Sequence, residues 1–223
     1  MKGLRTMIRI LISCFALITL SCGSKNSEPS SRVDQLPYYQ EATFTPVWFE
    51  SIDEVPSDFH QIPVFELTNQ LGNTVTEKSL EGKITVADFF FASCPGICPK
   101  MTANMMIVQE AFMEDEAIIL LSHSVTPEYD SASVLLEYAE RNGINHDRWN
   151  LLTGPREEIY NLGRNHYFVE EDLGLTKKPT DFIHTENFVL LDQDRHIRGI
   201  YNGLNKTAIA QLIADINTLK TKI

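Results

Sequence analysis

Basic residues are in short supply: 19 lysines and arginines stand against 30 aspartates and glutamates, for a net charge of −11. Nucleic acid is therefore an unsuitable partner, and because the acids are spread rather than blocked they read as a solvated surface. Long apolar runs are also lacking. The one leading apolar stretch, Ile10 to Leu20, is too short to span a bilayer. It follows Lys2, Arg5 and Arg9 and precedes Ser21-Cys22, the layout of a lipoprotein-type signal peptide over residues 1–21, with Cys22 as the lipidated first residue of the mature chain. Thr19-Leu20 is an imperfect processing site. Leu11 to Cys14 fits that pattern better locally, but Arg9 leaves almost no apolar run in front of it. The expected location is the cell envelope, lipid-anchored to a membrane with the domain on the exported side.

Cysteine is scarce too, at four residues. Cys14 leaves with the leader and Cys22 is modified, so Cys94 and Cys98 remain alone, three residues apart, in KITVADFFFASCPGICPKMT (83–102). Val86 to Phe91 is too continuously apolar for a half-exposed strand and reads as one covered on both faces. Pro99 suits the first turn of a helix. Met101, Met105, Val108 and Phe112 then recur at helical spacing as core residues. A four-position separation in a turn brings the two Cα atoms to about 5–6 Å, near enough for a disulfide or for two bonds to one metal. The neighbouring helix N-terminus favours the thiolate, the form that binds metal or attacks disulfides. The spacing alone does not separate a redox pair from a metal pair.

What is present otherwise is ordinary: 43% hydrophobic and 22% charged residues, enough for one substantial domain. Residues 23–35 are small and polar, a tether. Residues 36–60 carry Tyr38, Tyr39, Phe44, Trp48 and Phe49 and read as an extended arm packed on the domain. The division expected is 1–21 leader, 22–58 tether and arm, 59–223 domain. Within the domain the pattern predicts a hairpin (Ile62–Leu67 and Thr74–Thr76), the cysteine strand and helix, and a parallel neighbour within Ala117–Val125. A helix follows, opened by Pro127 and Asp130-Ser131, with Val134, Leu135 and Tyr138 inward and a stop near Gly143. Next come a strand at Trp149–Thr153, a helix from Gly154-Pro155 with Ile159, Leu162 and His166 inward, and a surface loop over Tyr167–Asp181. A hairpin (Phe188–Leu191 and Ile197–Tyr201) and a closing helix bearing Ile209, Leu212, Ile213, Ile216 and Leu219 complete it. This order is α/β and thioredoxin-like: a central mixed sheet flanked by helices, with its site beyond the carboxyl ends of parallel strands.

Of His60, His123, His146, His166, His184 and His196, most are surface or packing residues. His184 stands out because it sits where the long loop enters the strand facing the cysteine turn. The segment DFIHTENF (181–188) has no proline, where thioredoxins usually carry a cis one.

In order, FFFASCPGICPKM, SVTPEYDS, LLTGPREEIYNLGR, PTDFIHTENFVLL and YNGLNK resemble the Sco/SenC family of copper-binding oxidase-assembly proteins over roughly residues 60–220. The resemblance implies a thioredoxin-like fold with copper, as Cu(I) or Cu(II), held by Cys94, Cys98 and His184. It departs from some members at Gly96, where they carry an acid, and at Ile183, where they carry Asp. Asp181 and Glu186 are then the candidate outer partners of the imidazole. The implied function is a membrane-tethered metallochaperone or thiol-disulfide assembly factor, not an enzyme, for the dinuclear copper centre of a respiratory cytochrome c oxidase. The implied partners are that copper-centre subunit and other copper carriers or thioredoxin-like reductants. The competing reading is an exported thiol-disulfide oxidoreductase in which His184 is incidental. A thiol peroxidase comes third, since nothing between the cysteines makes a peroxide site.

Overall fold

The computed structural model describes residues 30–169, 183 and 185–221. The leader, Cys22, Asp181, His184 and most of the loop expected before the last hairpin lie outside them. Seven strands form one sheet in the order β2-β1-β5-β4-β3-β6-β7. They are β1 Glu66–Asn69, β2 Thr74–Thr76, β3 Ile84–Phe90, β4 Ile118–Ser124, β5 Trp149–Thr153, β6 Asn187–Leu191 and β7 Ile197–Asn202. β3, β4 and β5 run parallel, and the remaining pairings are antiparallel. Every residue of β3 and β4 is buried, as a strand covered on both faces requires.

The two faces have different covers. Ile84, Val86 and Phe90 point to helices α1 (Cys98–Ala111), α2 (Ala132–Asn142) and α4 (Lys206–Lys220). Ala87 and Phe89 point to α3 (Arg156–Asn161) and the π-helical turn Leu162–His166 that continues it. Met101, Met105 and Val108 are fully buried, each contributing about 1.5–3 kcal/mol through removal of its side chain from water. Ser131 accepts from Val134 N to cap α2, and Gly143 closes it at φ 73, a left-handed position that costs glycine little. Asn205 caps α4 by accepting from Thr207 N and Ala208 N.

Three expectations need correction. The first strand begins at Glu66 rather than Ile62. Pro63 has no N–H to give a ladder, and Ile62 N instead bonds Arg195 O at 3.0 Å while Val64 faces solvent. Val134 is exposed, and Ala139 takes its place beside Leu135 and Tyr138. Tyr167, Phe168 and Val169 are core rather than surface loop, because the wider π turn rolls the chain back onto Phe89, with Tyr167 N bonded to Leu162 O at 2.8 Å. No helix of the described residues is long and apolar enough to cross a membrane.

The arm does pack on the domain. Tyr38 and Val47 exchange backbone bonds, and Tyr39 N bonds Ile197 O on β7. Arg198 donates to Leu36 O and Pro37 O, pairs with Asp192 at 3.0 Å, and lies 3.6 Å over the Tyr38 ring. Trp48, also counted with the arm, remains exposed.

Candidate metal centre

β3 ends in a loop that owes its shape to one carboxylate. Asp130 Oδ2 accepts from Ala92 N (3.1 Å), Ser124 Oγ (2.6 Å) and Thr126 Oγ1 (3.0 Å), so the exits of β3 and β4 are tied to one atom. Val125 N adds a bond to Phe90 O. Cys94 follows, its N bonded to Phe91 O, and the chain turns through Gly96 and Ile97 into α1 at Cys98 with Pro99 in the first turn. The 14-residue helix thus begins at the second sulfur, where its dipole favours negative charge.

Both cysteines are free thiols, Cys94 half-buried and Cys98 buried. Partial burial raises the Cys94 thiol, but the Cys98 side chain and the backbone N–H groups of Cys98, Gly96 and Ile97 outweigh it and hold it below its ordinary value. Burial pushes Cys98 up to about 12, helped by its bond to Cys94 and by the charges of Cys94 and Asp88. The less buried sulfur, that of Cys94, is therefore the one whose ionisation is favoured, and its partner donates to it. Two adjacent soft donors on a rigid strand-helix junction suit a thiophilic ion, and the same pair suits disulfide chemistry.

Three residues of this region carry signals not taken up from the sequence. Asp88 is fully buried on β3, accepts from Ser122 Oγ, and sits near 7 because burial outweighs that bond. Trp149 Nε1 donates to the same Ser122 Oγ at 2.8 Å. His123, fully buried beside Phe89 and Tyr167, bonds the Asp88 carbonyl through Nδ1 and is depressed to about 4 by burial. Asp130 sets the loop. A lone acid inside VADFFF was the available signal for Asp88, since a charge in a doubly covered strand is costly. Asp130 looked like an ordinary helix-opening residue.

Of the sequence-predicted ligands, the structure brings together Cys94 and Cys98. His184 lies outside the described residues, but the chain on both sides of it is placed. β6 runs antiparallel to β3 with Ala87 opposite Val189, so β6 starts at the end where β3 delivers Cys94. Ile183 is buried, and a Cβ on Gly163 would stand 3.0 Å from both its Cδ1 and Phe89 Cε1. Gly203 N bonds Glu186 O at 2.6 Å, and Asn104 of α1 donates to Gly203 O at 2.7 Å. A side chain at 203 would meet Glu186 O at 2.8 Å, so only glycine lets this strap from the cysteine helix close. Glu186, a candidate partner for the imidazole, accepts from Asn202 Nδ2 at 3.2 Å. The other histidines go elsewhere: His60 stacks on His166, His146 meets Gln70, and His196 lies at the far end of the sheet. His166 is only half-buried.

Comparison with known proteins places these features in a group. The SCO1/SenC family model matches residues 55–221. A SCO1 protein homolog from Bacillus subtilis is 31% identical over 167 residues, covering 73% of this chain and 84% of that one. Two curated relatives, from Arabidopsis thaliana and Schizosaccharomyces pombe, are matched over only 37% and 55% of their length. The crystal structure of a SCO1/SenC family lipoprotein from Bacillus anthracis superposes with a TM-score of 0.63 at 32% identity, covering 72% of this chain and 95% of that one. Bradyrhizobium japonicum ScoI, solved with copper bound, superposes with a TM-score of 0.56 at 27% identity, covering 72% and 98%.

Proposed function

We propose a function from one premise: this chain belongs to the SCO1/SenC family. On that footing it binds one copper ion through Cys94, Cys98 and His184. It serves assembly of the dinuclear copper centre of a respiratory cytochrome c oxidase, as a chaperone rather than a classical enzyme. Cys22 carries the lipid that holds the exported domain at a membrane. The observation that carries the reading is the pair of free thiols at the start of α1, one half-exposed with its ionisation eased and one buried. Thiolates match Cu(I), and an added imidazole gives a donor set that also suits Cu(II). In this reading Cys94 engages the ion first, Cys98 loses its proton only as it becomes the second donor, and copper uptake releases protons. Asp130 fixes the backbone ahead of Cys94, and the Asn104–Gly203–Glu186 strap ties the cysteine helix to the chain at Glu186.

One observation also favours thiol-disulfide exchange by the same pair. The more exposed sulfur is the more acidic, as an attacking thiol should be, and the buried one is placed to resolve a mixed disulfide. His184→Ala separates the two readings. Competition titrations of the wild type and the variant in each copper oxidation state should show Cu(I) largely retained on the sulfurs and Cu(II) greatly weakened. No stoichiometric copper in either protein, with disulfide reductase activity intact in both, would put the exchange reading first.

A further inference from the structure

We propose that Asp192, Asp194 and His196 form a second metal site, at the pole opposite the cysteines, for a divalent cation of borderline character such as Zn(II) or Cu(II). The turn between β6 and β7 brings one donor atom from each residue within 4.8 Å of the others, the one such cluster among the described residues. Acidic turns are common. What distinguishes this one is the imidazole. His196 is 9% exposed, and its Nδ1 is buried without a hydrogen-bond partner. Its ion-pair contact with Asp192 Oδ1, at 3.4 Å, is too long for a well-formed bond, and that oxygen also accepts from the N–H groups of Asp194 (3.1 Å) and His196 (2.9 Å). A buried nitrogen facing two carboxylates is the arrangement that a cation completes.

Asp192 is oriented as outer-shell contacts orient a metal ligand: Arg198 Nη1 holds Oδ2 at 3.0 Å, and the two backbone N–H groups hold Oδ1. The charges facing the cluster are Arg198, spent on Asp192 and on the arm carbonyls, and Arg195, whose Nη2 lies 3.4 Å from Gln61 Oε1. Against these stand Asp192, Asp194 and, across the adjoining cavity, Glu50. That cavity, about 500 Å³, is lined by Tyr38, Glu50, Asp192, Asp194 and Arg198; it reaches the two carboxylates, and His196 stands behind them outside its lining. One imidazole and two carboxylates leave room for water, a donor set that selects Zn(II) or Cu(II) over Cu(I) and over purely oxygen-loving ions. A cation here ties exposed Asp194 to the buried Asp192–Arg198 pair and so tightens the seat of the N-terminal arm.

The test uses the whole mature chain carrying Cys94→Ser and Cys98→Ser, which silences the thiols and makes the result independent of the proposed copper centre. Zn(II) and Cu(II) are titrated separately against a chromophoric chelator. One equivalent of each should bind, Zn(II) should raise the melting temperature, and Cu(II) should show the hyperfine signature of a single imidazole nitrogen. His196→Gln should weaken binding by at least about 100-fold, and His184→Ala should leave it unchanged. Asp194 is exposed, so Asp194→Asn keeps the fold and should still weaken binding about tenfold. No binding in the thiol-free chain, binding indifferent to His196→Gln and Asp194→Asn, or an imidazole found doubly protonated and unmoved by either metal would overturn the site.

Discussion

The two poles of the sheet solve opposite problems with similar groups. Where β3 ends, a single carboxylate, Asp130, gathers the loop, and one sulfur is half-exposed, with the two thiols tied to each other and to the nearby backbone. Where β6 turns into β7, Asp192 and Arg198 are buried and multiply bonded, and Tyr38, Phe49, Phe59 and the His196 ring pack edge to face around them. The contrast teaches that buried charge at the arm pole secures structure, whereas at the cysteine pole burial and the contact between the two thiols govern their acidities, with Asp88 adding only a minor push on Cys98.

The sharpest way to break the contrast is Arg198→Ala. It strands Asp192 in a buried setting and releases two arm carbonyls, and should cost about 3–5 kcal/mol in denaturant unfolding. Alkylation rates of Cys94 and Cys98 in the folded protein should stay as they were. A parallel loss of thiol reactivity would mean that the poles are coupled.

Next in size is a pair of opposed pH effects from two buried groups on neighbouring strands, Asp88 of β3 and His123 of β4. Asp88 has a folded value near 7 against an ordinary 3.8, so its stability is full below 3.8 and is lost as pH rises toward 7. His123 falls from 6.5 to about 4, so its stability is full above 6.5 and is lost as pH falls toward 4. At their limits the shifts are worth about 4 kcal/mol for Asp88 and about 3 kcal/mol for His123, and between pH 4 and 6.5 the two run against each other. Asp88→Asn should leave stability climbing with pH over that window and raise it above pH 7. His123→Phe should leave it falling. Urea titrations across the range decide this, and matching slopes for the two variants would refute the opposition.

Asp130→Asn is smaller, about 2 kcal/mol, because the amide can accept fewer of the three converging bonds. It should also quicken hydrogen exchange at Ala92, whereas unchanged exchange would remove Asp130 from the role of loop clamp. Smallest of all, Lys220→Ala removes a partly exposed pair with Asp115, on the arm side of the sheet but outside the Asp192–Arg198 network. A loss within about 1 kcal/mol that vanishes in high salt is expected, and a larger one would show that the end of α4 matters more than its exposure implies.

Much of this molecule was determined by the chain alone. The apolar run Ile84–Phe90, the Cys94–Cys98 spacing, Pro99, the Ser131 and Gly143 boundaries of α2 and the stripe on α4 each act within a few residues, through backbone preference and periodic burial, so local pattern sufficed. Other features were decided only when distant segments met. Asp130 joins Ala92 across 38 positions, Arg198 reaches Leu36 across 162, and Asn104 reaches Gly203 across 99. The burial of Tyr167–Val169, the late start of β1 and the unequal acidities of Cys94 and Cys98 likewise depend on neighbours that no window of sequence contains. The reason is physical: periodicity encodes which face of an element is apolar, but hydrogen-bond pairing and desolvation are properties of the packed interior, set by whichever groups the fold brings together there.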